Sequence, residues 1–220
     1  MRELPDVLKW LWGRVETRYR VCFFAGLGAG FITHLFMLAN KITNLDDIVC
    51  VPDVGGGANL GRWLQQSVHY AFSEWASPAL NGGMTILFLS LAACLIVAIL
   101  GIKSCTGAAV TALMLLTFPS TASNMYYMYL APTFALAILM SVTGVLLTQR
   151  LRHGWIAGVI LQLLSMACYQ AYFALAASLY VLALLLSLFD GEKLVSAARR
   201  GSAILFPVAG ELYDGRGDAV

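Results

Sequence analysis

The segment WIAGVILQLLSMACYQAYFALAASLYVLALLLSLF, residues 155–189, is apolar almost throughout and is 35 residues long. A single helix of that length would extend about 50 Å, whereas the hydrocarbon core of a bilayer is about 30 Å thick. The segment therefore predicts two membrane crossings with a break near MACYQAY, residues 166–172. Because each half is slightly short for a crossing, we expect the break to lie below the membrane surface and to line a cavity.

The rest of the chain has the same apolar character. Of its 220 residues, 60% are hydrophobic and only 12% are charged, which is outside the range of soluble globular domains. Apolar run length and flanking charge predict four further spans, at residues 21–39, 84–102, 105–121 and 129–148. The sequence thus predicts an all-α, polytopic membrane protein with about six transmembrane helices between residues 21 and 189. The bilayer is the expected environment, and no nucleic-acid partner is expected.

The basic residues predict how these spans are oriented. With the N-terminus in the cytoplasm, only Lys41 and Arg62 of the 14 Lys and Arg residues fall outside, as the positive-inside rule favours. Residues 1–20 are too polar for a signal peptide, and we interpret them as an amphipathic helix on the cytoplasmic surface. A simple positively charged tail is the alternative. Residues 190–220 form a cytoplasmic tail in this scheme.

One long external segment, residues 40–83, holds every carboxylate that this orientation places outside. Asp46 and Asp47 stand side by side in TNLDDI, and no Asp or Glu occurs between Glu74 and Asp190. Any carboxylate-dependent chemistry on the outer side must therefore use this segment. The ordinary alternative for the acidic pair is a solvated loop or a helix cap.

A helix is predicted inside the external segment, over RWLQQSVHYAFSEWA, residues 62–76. Four apolar side chains recur at the spacing of one helical face: Leu64, Val68, Ala71 and Trp75. Four polar side chains share another face: Arg62, Gln66, His69 and Ser73. The pattern predicts an interfacial helix whose polar face looks into a cavity above the spans. The Arg62 side chain is a fork-shaped donor suited to a phosphate, although snorkelling or an ion pair with Glu74 is the ordinary alternative.

The order of these motifs resembles that of a known family. After a cytoplasmic N-terminus and one span come TNLDDI and then GRW, residues 61–63, at the start of the loop helix. LLTFP, residues 115–119, follows near the end of the third span, and CYQAYF, residues 168–173, stands at the break before the sixth. In order and in membrane position, the motifs resemble the type II O-antigen glucosyltransferases, which include the phage-borne serotype-converting enzymes. The resemblance covers about residues 20–190.

The resemblance implies a GT-C-like glycosyltransferase in the bacterial cytoplasmic membrane. Such enzymes move a sugar, here expected to be glucose, from a polyprenyl-phosphate carrier to an O-antigen or other cell-surface polysaccharide on the periplasmic side. In that superfamily the catalytic carboxylate lies in the first external loop, which implies Asp46 or Asp47 as the general base. Arg62 is then expected to bind the phosphate. Further substrate contacts are expected from Gln66, His69, Tyr169 and Gln170.

The sequence leaves several alternatives open. A divalent cation, Mg²⁺ or Mn²⁺, held by Asp46 and Asp47 with substrate phosphate oxygens would assist the same transfer. Family members generally continue with further transmembrane helices, whereas AILFPVAG, residues 203–210, is too short to cross, so we expect a shortened or minimal form. Two other functions therefore stay open. One is a lipid-linked sugar flippase or transporter, for which the spans offer almost no ionisable residue besides His34. The other is a non-catalytic membrane partner of a longer subunit or an oligomer.

Overall fold

The structure, a computed structural model, describes residues 13–42, 60–72, 77–151 and 153–189. Regular secondary structure in these residues is helical. The helices are α1 (Thr17–Ala39), α2 (Trp63–Phe72), α3 (Pro78–Ile99), α4 (Cys105–Thr117), α5 (Pro119–Tyr126), α6 (Ala131–Arg150), α7 (Gly154–Cys168) and α8 (Tyr172–Phe189). The acidic pair Asp46 and Asp47, the tail at 190–220 and most of the predicted amphipathic segment at 1–20 lie outside the described residues.

Four of these helices are long and apolar enough to cross a membrane: α1, α3, α6 and α8. Helices α4 and α5 meet at a bend of 43° and count as a fifth candidate if the pair forms one span. Helix α7 is apolar but has only 15 residues. The all-α class is confirmed, and four to five of the helical segments in the described residues are candidates to span a membrane. The count of six and the GT-C assignment stay predictions.

The predicted break in the 35-residue apolar run is present. Helix α7 ends at Cys168 and α8 begins at Tyr172, with Tyr169 in an extended conformation between them. Two prolines also mark helix starts, as expected for a residue that has no backbone N–H: Pro119 begins α5 and Pro132 lies in the first turn of α6.

The start of the second long helix was predicted too late. Helix α3 begins at Pro78, not at residue 84, and it includes Asn81 in its first turn. Asn81 is 1% exposed, and its Nδ2 donates to the carbonyl oxygen of Met128 at 3.0 Å. Asn81 is polar, so the apolar run in the sequence begins after it. The carbonyl group that makes its burial favourable belongs to Met128, which is distant in the chain.

The core lies where α3 packs against α6, around Ile86, Leu89, Ile138 and Val142. Helix α1 covers α3 and α4. His34 on α1 is 2% exposed, and its Nε2 donates to the carbonyl oxygen of Leu116 at 2.8 Å, since a carbonyl can only accept. The ionisable residue that a transporter would need is thus used to join α1 to α4.

The bundle has two chemically different ends. At the first, which we call the basic end, Arg18 donates to the carbonyl of Ile102 and Arg150 donates to the carbonyl of Ala98. At the other, which we call the Arg62 end, the start of α2 meets the break between α7 and α8. The predicted orientation requires Arg62 to lie opposite Arg18 and Arg150, and the fold places it there. The assignment of the basic end to the cytoplasmic side stays a prediction.

Candidate functional site

Arg62 immediately precedes α2, and a side chain 108 residues away holds it in place. Its Nε donates to Oε1 of Gln170 at 2.9 Å, and Nε2 of Gln170 donates to the carbonyl oxygen of Leu60 at 2.6 Å. Both ends of one amide are therefore used to hold the stretch before α2 against the break at residues 169–171. The structure brings the predicted residues Arg62 and Gln170 together.

Tyr169 lies under the Arg62 side chain. The guanidinium carbon is 4.7 Å from the centre of the Tyr169 ring, which is cation–π geometry. The Tyr169 ring in turn contacts Phe134 at a centroid distance of 5.0 Å and Tyr172 at 5.5 Å. An aromatic cluster thus packs against the guanidinium, while Gln170 holds its Nε.

The two terminal amino groups of Arg62 differ from its Nε in their hydrogen bonding. Among the described residues they take part in no hydrogen bond or ion pair. Glu16, at the basic end, is the only carboxylate in the described ranges. The arrangement therefore leaves the two terminal amino groups of a positioned guanidinium without a hydrogen-bond partner among the described residues, and such groups can donate to phosphate oxygens.

His69 occupies a buried position on α2. It is 0% exposed, and its Nδ1 donates to the carbonyl oxygen of Tyr129 at 3.0 Å. The Tyr129 ring also meets the imidazole edge to face at 5.9 Å. His69 thereby joins α2 to the turn that leads into α6.

The buried face of α2 is rotated relative to the predicted apolar face. Leu64 and Val68 pack against α6 and α7 as expected, but Ala71 is exposed. Gln65, at 3% exposure, is buried instead, next to His69 on the inward side. The rotation follows from the His69 contact, because a polar side chain with a buried carbonyl partner can face inward. Trp75 and Ser73 lie outside the described residues.

The remaining predicted site residues are less informative. Gln66 is half-buried, one turn after Arg62. Asp46 and Asp47 fall in the stretch between Ile42 and Leu60 that the structure does not describe. The described part of the chain holds no group of three or more His, Cys, Asp or Glu side chains arranged for a metal ion. Binding of Mg²⁺ or Mn²⁺ by the acidic pair therefore stays a prediction.

Sequence reasoning missed a polar cluster behind the aromatic residues. Asn124 on α5 donates from Nδ2 to the hydroxyl of Tyr172 at 3.0 Å, and Ser141 on α6 donates to the carbonyl oxygen of Tyr172 at 3.2 Å. These contacts attach the start of α8 to two other helices. The signal for them was weak: each is a single polar residue in or beside an apolar run, which gains meaning only when its partner is known.

Comparison with known proteins adds a family match that covers this whole end of the bundle. The model of the family described as "Glucosyl transferase GtrII" matches residues 35–210. The matched range includes Asp46, Asp47 and every residue that positions Arg62. No curated protein and no solved structure is similar enough to the chain to add to this match.

Proposed function

Because the chain belongs to the GtrII glucosyl transferase family, we propose that it moves a glucosyl group from a polyprenyl-phosphate carrier to an O-antigen or other cell-surface polysaccharide. We place this reaction at the outer face of the bacterial cytoplasmic membrane. The observation that carries the proposal is the geometry of Arg62: a guanidinium held by neutral side chains, at the end of the bundle opposite Arg18 and Arg150.

Arg62 is proposed to bind the donor phosphate. When the bond between the anomeric carbon and the phosphate oxygen breaks, its electron pair stays on the phosphate, and a fixed cation stabilises that charge as it develops. The contacts with Gln170 and Tyr169 support this role because a side chain already held in position loses little conformational freedom on binding. In this scheme Gln170 and the buried His69 are positioning residues, while Gln66 and Tyr169 are proposed to lie next to the donor.

Asp46 or Asp47 is proposed to act as the general base. The acceptor hydroxyl attacks the anomeric carbon, and the carboxylate takes the proton that this oxygen loses as the new glycosidic bond forms. A single displacement on a β-linked donor would invert the anomeric configuration. The support is chain position: only three residues separate Asp46 from Ile42, and Ile42 lies near Met128 at the Arg62 end.

The proposed base is tested with Asp46→Asn and Asp47→Asn variants of the full chain in membranes. Transfer from a labelled polyprenyl-phosphate glucose to polysaccharide is measured, with membrane insertion checked separately. We expect at least one variant to lose transfer by about a hundredfold or more, because positioned proton transfer contributes about 10²–10⁴-fold. Asp53→Asn, a third carboxylate of the same external segment, is the matched control and should keep its activity.

Three other results would redirect the proposal. Full activity in both Asp46→Asn and Asp47→Asn would remove the acid-base role. Transfer that appears only when a longer membrane subunit is added would favour the non-catalytic partner. Movement of labelled carrier across liposome membranes without glycosidic product would favour transport instead.

A further inference from the structure

Tyr169, whose ring packs against the Arg62 guanidinium, lies in the break between α7 and α8 and belongs to neither helix. Its backbone is extended. A residue in this position has no helical turn on its C-terminal side to hold its side chain. The rings that pack against Tyr169 therefore decide where its own ring lies, and with it the aromatic surface that Arg62 contacts.

Tyr172 supplies one of those rings, at a centroid distance of 5.5 Å from Tyr169. It is the first residue of α8, where the backbone N–H groups lack partners within the helix. Two contacts from other helices hold it. Ser141 donates to its carbonyl oxygen at 3.2 Å, and Asn124 Nδ2 donates to its hydroxyl at 3.0 Å. The Ser141 contact holds the backbone, whereas the Asn124 contact holds the far end of the ring.

Asn124 can hold Tyr172 because its own helix, α5, is anchored. Helix α5 is bent by 43° from α4, and the hydroxyl of Thr121 donates to the carbonyl oxygen of Leu115 at 2.8 Å across this bend. Met125, the residue after Asn124, is 1% exposed and belongs to the core. The half-buried Asn124 therefore has a fixed backbone from which its amide reaches α8.

Together these contacts form one continuous line from α5 to the guanidinium. Asn124 donates to the Tyr172 hydroxyl, and the Tyr172 ring packs against the Tyr169 ring. The Tyr169 ring in turn faces the guanidinium carbon of Arg62 at 4.7 Å. Asparagine and tyrosine contribute neutral groups. The line can therefore direct the guanidinium without neutralising its charge.

We infer that Asn124 is a positioning residue for the Arg62 guanidinium and acts through Tyr172 and Tyr169. The inference rests on the proposed function, in which Arg62 stabilises the charge that develops on the donor phosphate. A small displacement of such a group weakens the transition state more than the ground state, because the charge is largest in the transition state. Loss of the Asn124 contact should therefore lower kcat and leave the KM for the donor nearly unchanged.

The test measures transfer from labelled polyprenyl-phosphate glucose by variants of the full chain in lipid nanodiscs. Asn124→Leu removes the hydrogen-bond donor at similar side-chain volume, and Tyr172→Phe removes the hydroxyl that accepts. Each should lower kcat about fivefold, as for one lost hydrogen bond, and change the KM for the donor by less than about twofold. The double variant should lose no more than either single variant, because both substitutions remove the same contact.

Thr121→Val is the matched control. It also removes one hydrogen bond of α5 at similar side-chain volume, but the Thr121 hydroxyl donates to Leu115 instead of to the aromatic cluster. We expect a lower melting temperature and an unchanged kcat. An equal fall of kcat in Thr121→Val and Asn124→Leu would overturn the inference, since the effect would then come from the stability of α5. Additive losses in the Asn124→Leu, Tyr172→Phe double variant would also overturn it.

A second measurement separates the positioning role from the proposed reaction. With isotope-labelled arginine, the Nε–H signal in the NMR spectrum that is lost in Arg62→Lys reports the hydrogen bond between Arg62 and Gln170. Asn124→Leu should speed exchange of this proton with water about fivefold, because a less firmly packed guanidinium opens that bond more often, and Thr121→Val should not.

The exchange measurement does not depend on transfer, so the two ideas fail separately. Faster exchange in Asn124→Leu, in a chain that transfers no glucose even when unmodified, would refute the proposed function and support the positioning role. Glucose transfer by the unmodified chain, with unchanged exchange and unchanged kcat in Asn124→Leu, would refute the positioning role and leave the proposed function in place.

Discussion

The two ends of the bundle both hold arginine side chains, but they use the positive charge differently. At the basic end, Arg150 donates to the carbonyl of Ala98, in the last turn of α3, where carbonyls lack helical partners. Arg18 donates to the Glu16 carboxylate at 3.1 Å. At the Arg62 end, the guanidinium contacts a neutral amide and an aromatic ring.

We interpret this difference as one between arginines with a structural role and an arginine that we propose binds an anion. A guanidinium next to a carboxylate or to helix C-terminal carbonyls already has its charge compensated. A guanidinium held by neutral groups has a fixed position and still lacks a negative partner among the described residues. On this interpretation, the groups that contact each arginine, more than the residue type, predict which arginine of the bundle binds an anion.

The largest expected difference between the two ends is the change in glucosyl transfer when the guanidinium of each is removed. Arg62→Ala should reduce glucosyl transfer by about a hundredfold, the usual cost of losing a donor that stabilises developing charge. Arg150→Ala should leave the transfer rate unchanged and lower the free energy of unfolding by about 1 kcal/mol, as for one lost hydrogen bond. For both variants, the rate of glucosyl transfer is measured with labelled donor, and the stability is measured by thermal unfolding in detergent. Equal losses of transfer in the two variants would contradict the distinction.

A smaller effect is expected when the Arg62 end is given a carboxylate. Gln170→Glu keeps an acceptor for Arg62 Nε but adds a negative charge, which makes the pair resemble Arg18 with Glu16. Hydrogen bonds to charged groups contribute about 1.5–3 kcal/mol, so we expect the KM for the donor to rise about tenfold as carboxylate and phosphate compete.

The readouts of the Gln170 variants distinguish competition from misfolding. Gln170→Ala should lower kcat, because Arg62 loses its orientation without gaining a competing anion. Normal donor affinity in Gln170→Glu, measured at low salt where ion pairs are strongest, would show that Arg62 does not contact the phosphate.

The sequence predicted those features of the fold that depend on local limits. A 35-residue apolar run cannot be one crossing, so the break at residues 169–171 was predictable. The grouping of Arg62 with Tyr169 and Gln170 came from the resemblance. Their contacts lie across 107 and 108 residues, which no spacing argument covers.

The features that were missed depend on distant carbonyl groups. His69 was placed on a polar face because helical periodicity considers only its own helix, whereas the carbonyl of Tyr129 makes the inward position favourable. The start of α3 was placed too late for the same reason, since Met128 satisfies Asn81. A buried polar residue can be predicted only together with its partner.

The smallest expected effect is the converse of Gln170→Glu, namely removal of the carboxylate at the basic end. Glu16→Gln leaves Arg18 with its bond to the carbonyl of Ile102, and the Glu16 side chain is 62% exposed. Exposed ion pairs contribute about 0–1 kcal/mol, so the melting temperature should fall by a degree or two at most. Glucosyl transfer should stay unchanged, because the charge at this end serves the structure. A change in the KM for the donor would mean that the two ends are coupled, and the contrast between them would then fail.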